Sequence, residues 1–354
     1  MEMLNLAVVG AGLIGKSHIR LIKASDSCNL VAIVDPFEES KLLAEEHHVP
    51  HFSKLSDLIS VLEVDGVILA TPNSLHVEQA MACIEAGIPV LIEKPISHSV
   101  SEANTLVNLA SRSEEIFNSI LIGHHRMHSP IMQRTREVID SGVLGDVVAV
   151  NGSALFYKPD EYFLAAKWRT QEGGGPILIN LIHDIGNLRY MCGEITAVQA
   201  IASNRHRNFD VEDSVGITLA FENGAIGTFI LSDTAGSGQS WEQTSQENKA
   251  YTTCKDEDCY HVAGTSGSLS VPTMRLKYYT EDRERSWWKP FESERVSLER
   301  DDPLRLQLQH FCNVIRKTEP PLVTVHDGLQ NLRVTEAVVK AVKEGKTIYV
   351  DDIH

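Results

Sequence analysis

The sequence predicts two domains: a Rossmann-like α/β domain with a doubly wound parallel sheet over residues 1–123, and an α+β domain with a large, mostly antiparallel sheet over residues 124–354. Three observations carry this. From Leu4 to about Ile122, short apolar runs alternate with amphipathic stretches. A glycine-rich turn closes the first run. After Gly123 the runs lengthen, alternate in polarity and meet through hairpins instead of helices. At 354 residues the chain exceeds one typical core and suffices for two.

In order, the runs Leu6–Val9, Leu30–Val34, Val67–Ala70, Val90–Ile92 and Ile120–Ile122 are apolar throughout, as strands buried on both faces must be. Helical segments such as His76–Ala86 and Ser101–Ser111 separate them. In the second domain, Val215–Phe221 alternates, turns at Asn223-Gly224 and returns as Ile226–Leu231. Cys259–Ala263, Ser268–Val271 and Arg275–Tyr279 add strands, with Gly264 and Gly267 at the turn between the first two. Helices are expected over one face of this sheet. They are Ile177–Met191, Pro303–Lys317 with Leu304, Leu308, Phe311 and Ile315 on one stripe, and a helix from Asp327 as N-cap to Gly345 as stop. No long linker intervenes, so the domains are expected to share an interface whose cleft is the natural site.

A net charge of −16 and the absence of a Lys/Arg-rich run argue against nucleic-acid binding. Leu6-Ala7-Val8-Val9 ends at glycine, too short for a signal segment or a membrane span, and a cytosolic (cytoplasmic) protein is expected. Six scattered cysteines suit reduced thiols. Cys254, Cys259 and His261 cluster without a second ligand pair, so no metal site is expected.

Gly10-Ala11-Gly12-Leu13-Ile14-Gly15 follows a strand and opens a helix, the setting of a dinucleotide fingerprint. The first glycine permits the tight turn, the second lets a pyrophosphate approach the backbone, and the third lets helix and strand pack closely. Asp35 ends the next strand about twenty residues on, where a carboxylate accepts from the adenosine ribose. Because that carboxylate repels a 2'-phosphate, NAD is expected rather than NADP. Lys94, in Val90-Leu91-Ile92-Glu93-Lys94-Pro95, precedes proline at a strand end, on backbone biased to extended conformations that aim its amine reproducibly.

Taken with Ala70-Thr71-Pro72-Asn73-Ser74-Leu75-His76, Trp168-Arg169 and Gly173-Gly174-Gly175 followed by His183, these motifs resemble the Gfo/Idh/MocA oxidoreductases over nearly the whole chain. The resemblance implies an open-faced C-terminal sheet and a pyridine-nucleotide dehydrogenase or reductase acting on sugars, cyclitols or related polyols. It further implies that Thr71, Pro72, Asn73 and His76 line the nicotinamide half of the cofactor, with Glu93 and Lys94 beside its reactive ring. Thr71-Pro72-Asn73 and His76 also read as an ordinary strand-to-helix turn. By the same likeness Lys94 polarises the reacting oxygen and His183 takes its proton, although a histidine here also suits a structural role. The chain departs from the family at Ile179 and Gly186, where aspartates are usual.

Asn180, Asp184 and Asn187 make a polar stripe beside His183, and Asn180 and Asp184 are candidate substrate contacts. His124, His125, Arg126 and His128 leave the last parallel strand, facing either the cleft or solvent. Tyr157, Tyr162 and Trp168 offer aromatic faces to a sugar ring, though Trp168 equally suits a core, and Arg169 is a candidate cofactor or substrate contact. The expected activity is reversible, NAD-dependent oxidation of a secondary alcohol. An NAD-binding sensor without catalysis is the alternative, and a nucleotide-sugar or phosphosugar enzyme is a third. The broad open sheet face predicts a homo-oligomer, dimer or tetramer.

Overall fold

The computed structural model describes residues 2–280 and 284–354. It comprises two compact units: Met1–His128 with Pro303–Leu332, and Ser129–Asp302 with Arg333–His354. No helix among the described residues is long and apolar enough to cross a membrane.

In the first unit, β1 (Leu4–Val9), β2 (Cys28–Val34), β3 (His51–Phe52), β4 (Gly66–Leu69), β5 (Val90–Glu93) and β6 (Ile120–Gly123) form one sheet in the order β3-β2-β1-β4-β5-β6. All its pairings are parallel. The five expected strands are present, and β4, β5 and β6 are buried at every position, which explains their uninterrupted apolar character. Parallel strands bring their C-terminal ends to one edge. There Gly10, Ala70, Lys94 and His124 come directly after β1, β4, β5 and β6, and the strand order reverses between β1 and β4, opening a crevice.

The compact units divide the chain differently from the expected domains 1–123 and 124–354. His124–His128 stay with the first unit, and Pro303–Leu332 return to it. The helix Pro303–Ile315 therefore covers the parallel sheet and not the antiparallel one. A Cβ on Gly66 of β4 would lie 2.6 Å from Ile315 and 3.2 Å from Phe311, so the glycine admits this helix. An apolar stripe shows that a helix face is buried but not which sheet buries it. The last long helix, Val325–Glu344, begins earlier than expected. The Thr324 hydroxyl accepts from Asp327 N–H at 3.2 Å and the Asp327 carboxylate accepts from Thr324 N–H at 3.0 Å, a reciprocal cap in which Asp327 lies inside the helix. Gly345, at φ 65°, comes directly after its last residue.

The second unit holds β7 (Val147–Leu155), β8 (Ile195–Ser203), β9 (Ser214–Phe221), β10 (Ile226–Ser232), β11 (Tyr260–Gly264), β12 (Gly267–Val271), β13 (Arg275–Tyr278), β14 (Glu292–Arg295) and β15 (Ile348–Tyr349). Their order is β14-β13-β12-β11-β7-β10-β9-β8-β15, and β7 with β10 is a parallel pair in an otherwise antiparallel sheet. The β9–β10 hairpin turns at Asn223-Gly224 as its sequence requires, with Gly224 at φ 86°. Val215, Ile217, Leu219 and Phe221 of β9 are buried while their neighbours are exposed. The helix Ile182–Cys192 packs against β7. Ile230 of β10 and Ile201 of β8 both pair with Gly216 of β9 and are 50% and 81% exposed, so this stretch of sheet presents apolar side chains outward.

Candidate active site

The fingerprint turn is shaped by backbone crowding. Gly10 has φ 93°, and a Cβ there would lie 2.6 Å from the Ala70 carbonyl, so the turn runs against the end of β4. A Cβ on Gly15 would overlap the Gly10 carbonyl oxygen, whereas one on Gly12 would meet nothing within 4 Å. Gly10 and Gly15 thus serve packing, and Gly12 leaves open space where a diphosphate would approach the helix N-terminus. The adjoining cleft, about 960 Å³, is lined by Gly10, Ala11, Gly12, Asp35, Thr71 and Pro72 of the expected residues, together with Lys16, Phe37, Lys54 and Gln79. Leu13 is 84% exposed, and Leu13, Ile14 and Asn73 are not in that lining.

Asp35 does two things at once. Its Oδ2 accepts from Ala11 N–H at 2.7 Å and its Oδ1 from Phe37 N–H at 2.9 Å, bracing the glycine turn against the end of β2. Each carboxylate oxygen keeps a further acceptor site for a ribose hydroxyl. These features fit an adenine dinucleotide: an open glycine at a helix N-terminus, and an acceptor-only group one strand away.

At the end of β4, the Thr71 hydroxyl donates to Gln79 Oε1 at 2.6 Å. His76 does not face the cofactor cleft, a correction to the expectation. It is 1% exposed, with Nδ1 2.8 Å from the Pro95 carbonyl and Nε2 2.9 Å from the Thr71 carbonyl, and it ties the two loops together. Burial pushes its imidazole below the ordinary histidine value, against the pull of those carbonyls.

At the end of β5, Lys94 is half-buried and Glu93 is 5% exposed. Glu93 Oε1 lies 2.8 Å from His18 Nε2, and Oε2 accepts from the Lys94 backbone N–H at 3.2 Å. Burial pushes the Glu93 carboxyl up. The His18 hydrogen bond, with the charges of His18, His125 and Lys94, more than offsets this and holds it below its usual value. Glu93 is therefore an internal anion beside Lys94, not an open cofactor contact.

The histidine-rich segment after β6 is another correction. His124 is 2% and Arg126 3% exposed, and Asn331 Nδ2 lies 3.3 Å from His124 Nε2. The turn His125–His128 packs against the helix Pro303–Ile315, and His124, tied to Asn331, is an interior group of the first unit and not an exposed sugar contact. His128 sits 5.1 Å from the His310 ring, and burial pushes its imidazole down to about 3, leaving it neutral. Half-buried His125 is the member whose charge reaches Glu93.

In the second unit, the glycine triplet is a packing device. A Cβ on Gly174 would crowd the Trp168 and Arg169 backbone, and one on Gly175 would strike the Glu212 carboxylate. Glu212 Oε1 accepts from Ile177 N–H at 2.9 Å at the start of the next helix. The stretch expected as one helix opens with a π-helical turn, Ile177–Leu181, before the α-helix Ile182–Cys192. An extra residue in such a turn rotates the residues before it by about 100° relative to those after it, which breaks the expected polar stripe.

Asn180 faces one way, with Oδ1 accepting from Lys158 Nζ at 2.8 Å; Lys158 also lies 3.5 Å from the buried Asp233, which pairs with Arg207 at 2.9 Å. Asp184 faces another: it is 1% exposed and accepts from the Tyr260 hydroxyl, to which Asn187 Nδ2 also donates at 3.0 Å. Asp184 thus anchors the helix to β11 and is corrected from substrate contact to core strut. His183 is nine-tenths buried near the start of the same helix. Tyr157 and Trp168 are 59% and 54% exposed. Arg169 donates to the Tyr162 carbonyl at 2.6 Å and stacks 3.9 Å from the Tyr162 ring, so its guanidinium braces its own unit.

Two side chains escaped the sequence reading. His18 carried a usable signal, since it falls one helical turn after Gly15 and must lie deep under the sheet. Lys158 carried none, because its link to Asn180 spans separate elements.

Comparison with known proteins places this architecture. Residues 4–120 match the oxidoreductase family's NAD-binding Rossmann fold, and residues 136–351 match its C-terminal alpha/beta domain, both of the Gfo/Idh/MocA type. The chain is 26% identical over 345 residues to the rhizopine catabolism protein MocA of Rhizobium meliloti, covering 96% of this chain and 95% of that one. It is 26% identical over 358 residues to scyllo-inositol 2-dehydrogenase (NAD(+)) of Bacillus subtilis, covering 98% and 96%. An oxidoreductase from Agrobacterium radiobacter, solved with NAD+, L-tartaric acid and magnesium, shares the fold at a TM-score of 0.80 and 17% identity over 99% of both chains.

Proposed function

The chain belongs to the Gfo/Idh/MocA oxidoreductase family, and on that footing we propose that it oxidises or reduces a secondary alcohol of a sugar, cyclitol or related polyol, with NAD as hydride carrier. The observation that carries this reading is the end of β5, where a half-buried lysine comes directly after a buried carboxylate on the edge of the sheet that also carries the fingerprint.

Bound NAD supplies the hydride acceptor. In the proposed mechanism the Lys94 ammonium donates to the reacting oxygen and stabilises the negative charge that grows there as the carbon is oxidised. His183 accepts the hydroxyl proton, a task suited to imidazole near neutral pH. The alcohol leaves as a ketone, with its former hydroxyl proton on His183.

Asn180 fits the substrate-holding role because Lys158, a donor only, occupies its Oδ1, so that the amide N–H donors are what Asn180 offers a substrate hydroxyl. Tyr157 and Trp168 suit the apolar face of a ring. The relative named scyllo-inositol 2-dehydrogenase (NAD(+)) supports a polyol substrate.

The test is a panel of inositols, aldoses and sugar acids incubated with NAD and monitored by absorbance of the reduced cofactor. At least one cyclitol or sugar is expected to turn over. A protein that binds NAD yet reduces none across the panel would favour the sensor reading instead. In parallel, fluorescence titration is expected to show NAD binding at least about tenfold more tightly than NADP, since Asp35 meets the 2'-position. Equal or tighter NADP binding would show that Lys54, in the same cleft, outweighs Asp35.

A further inference from the structure

We propose that His18 is a positioning residue: by holding the Glu93 carboxylate, it sets the backbone from which Lys94 projects. The inference rests on Lys94 acting on substrate, as proposed above, but its geometry stands on the first unit alone.

His18 has 0% exposure, and its Nε2 lies 2.8 Å from Glu93 Oε1. A carboxylate only accepts, so Nε2 carries the hydrogen and donates. The other ring nitrogen, Nδ1, is buried with no hydrogen-bond partner among the described residues. A buried imidazole satisfied at one end is costlier than an apolar side chain of the same size. Its presence is explained by what it does for Glu93, which would otherwise be a buried anion lacking its strongest donor.

The second half of the connection runs from Glu93 to Lys94. Glu93 Oε2 accepts from the Lys94 N–H at 3.2 Å, so the carboxylate bridges the fingerprint helix and the peptide that carries the lysine. The neighbouring strand makes room for this arrangement. Gly123 pairs with Glu93 in register, and a Cβ there would press within 3.0 Å of Glu93 Cα and 3.2 Å of its carboxyl carbon. The depth of His18 is set one helical turn earlier, where Gly15 lets the helix close onto the Gly10 carbonyl. The residues that build the cofactor turn therefore also fix the seat of Lys94.

The experiment compares wild type with His18→Met, His18→Gln and Glu93→Gln. Methionine keeps the bulk and removes the donor. Glutamine at 18 keeps an N–H where Nε2 stood. Glutamine at 93 keeps one acceptor oxygen where the carboxylate has two, so with His18 Nε2–H donating to it the Lys94 amide faces an NH2 group, and because no unpaired charge is buried the variant reports even where His18→Met fails to fold. Exchange of the Lys94 amide, read by mass spectrometry with fragmentation of the peptide spanning residues 90–96, is expected to quicken at least about tenfold in His18→Met and Glu93→Gln. His18→Gln is expected to recover most of that protection.

On whichever polyol the wild type turns over, His18→Met is expected to lower kcat about tenfold or more, with KM and NAD affinity within about threefold. Lys94 exchange at the wild-type rate in folded His18→Met or Glu93→Gln overturns the inference, as does equal damage in His18→Gln and His18→Met. A wild type inactive on the whole panel removes the catalytic reading instead, and leaves the exchange result to decide whether His18 seats Lys94.

Discussion

Replacing Lys94 with alanine is expected to lower kcat/KM for the polyol substrate by about 10²–10³-fold, or roughly 3–4 kcal/mol, the usual cost of deleting one donor aimed at a developing oxyanion. The loss should fall on kcat. Lys94 is absent from the lining of the cofactor cleft, whose contacts come from the ends of β1, β2 and β4, so the dissociation constant of NAD should move by less than about threefold. Arginine at 94 would keep the charge, but its planar, wider head would not place a donor at the same point, and it should restore only part of the rate. Steady-state kinetics with separate cofactor titration decides the matter. Turnover near wild type in Lys94→Ala would remove the lysine from the mechanism.

The second large effect separates two glycines that look alike in the sequence. Gly15→Ala places a methyl group on the Gly10 carbonyl oxygen, backbone against backbone, and nothing flexible is there to yield. The helix must withdraw from β1, at a cost of about 2–4 kcal/mol, and the melting temperature should fall by roughly 5–10 °C. NAD affinity should fall at least about tenfold because the turn moves with the helix. Gly12→Ala meets open space, so it should melt within about 2 °C of wild type and weaken NAD alone. Calorimetry and fluorescence titration on both variants test the distinction. A Gly15→Ala protein as stable as Gly12→Ala would mean that the close approach is not the reason for the glycine.

Much of the first unit was legible because its signals are local. Strands buried on both faces must be continuously apolar, and β4, β5 and β6 are. The glycine turn, Asp35 and the lysine before Pro95 lie within short stretches whose spacing already states their geometry. The antiparallel half was read where a hairpin announces itself, as at Asn223-Gly224. It was missed at β7, which pairs with β10 and β11 more than seventy residues on, and at β8, although its partner β9 is the next strand in the chain.

Site residues divided in the same way. His76, His124, Arg126 and Asp184 are polar groups near motifs, a position that suggested exposure to a ligand. All four are instead buried, and His76, His124 and Asp184 are engaged within their own units, because a histidine or an acid that bridges two loops or a helix and a strand is indistinguishable in sequence from one that meets a substrate. The π turn at Ile177–Leu181 is a further case: the 3.6-residue period predicted a continuous polar stripe, and one wide turn divided it.

By itself, then, the order of residues determined the parallel sheet, the glycine turn, the acid at the end of β2 and the place of Lys94 at a strand end, since each depends on interactions spanning a few residues or one repeating unit. Only the tertiary structure decided which sheet the helix Pro303–Ile315 covers, which polar side chains are interior, and that Glu93 is held between His18 and the Lys94 peptide. Those outcomes depend on groups from different elements, such as His18 with Glu93, 75 residues apart, and His124 with Asn331, 207 apart, meeting in a low-dielectric interior, where a partner's presence, and not the residue's own type, sets whether a charge or a donor is tolerated.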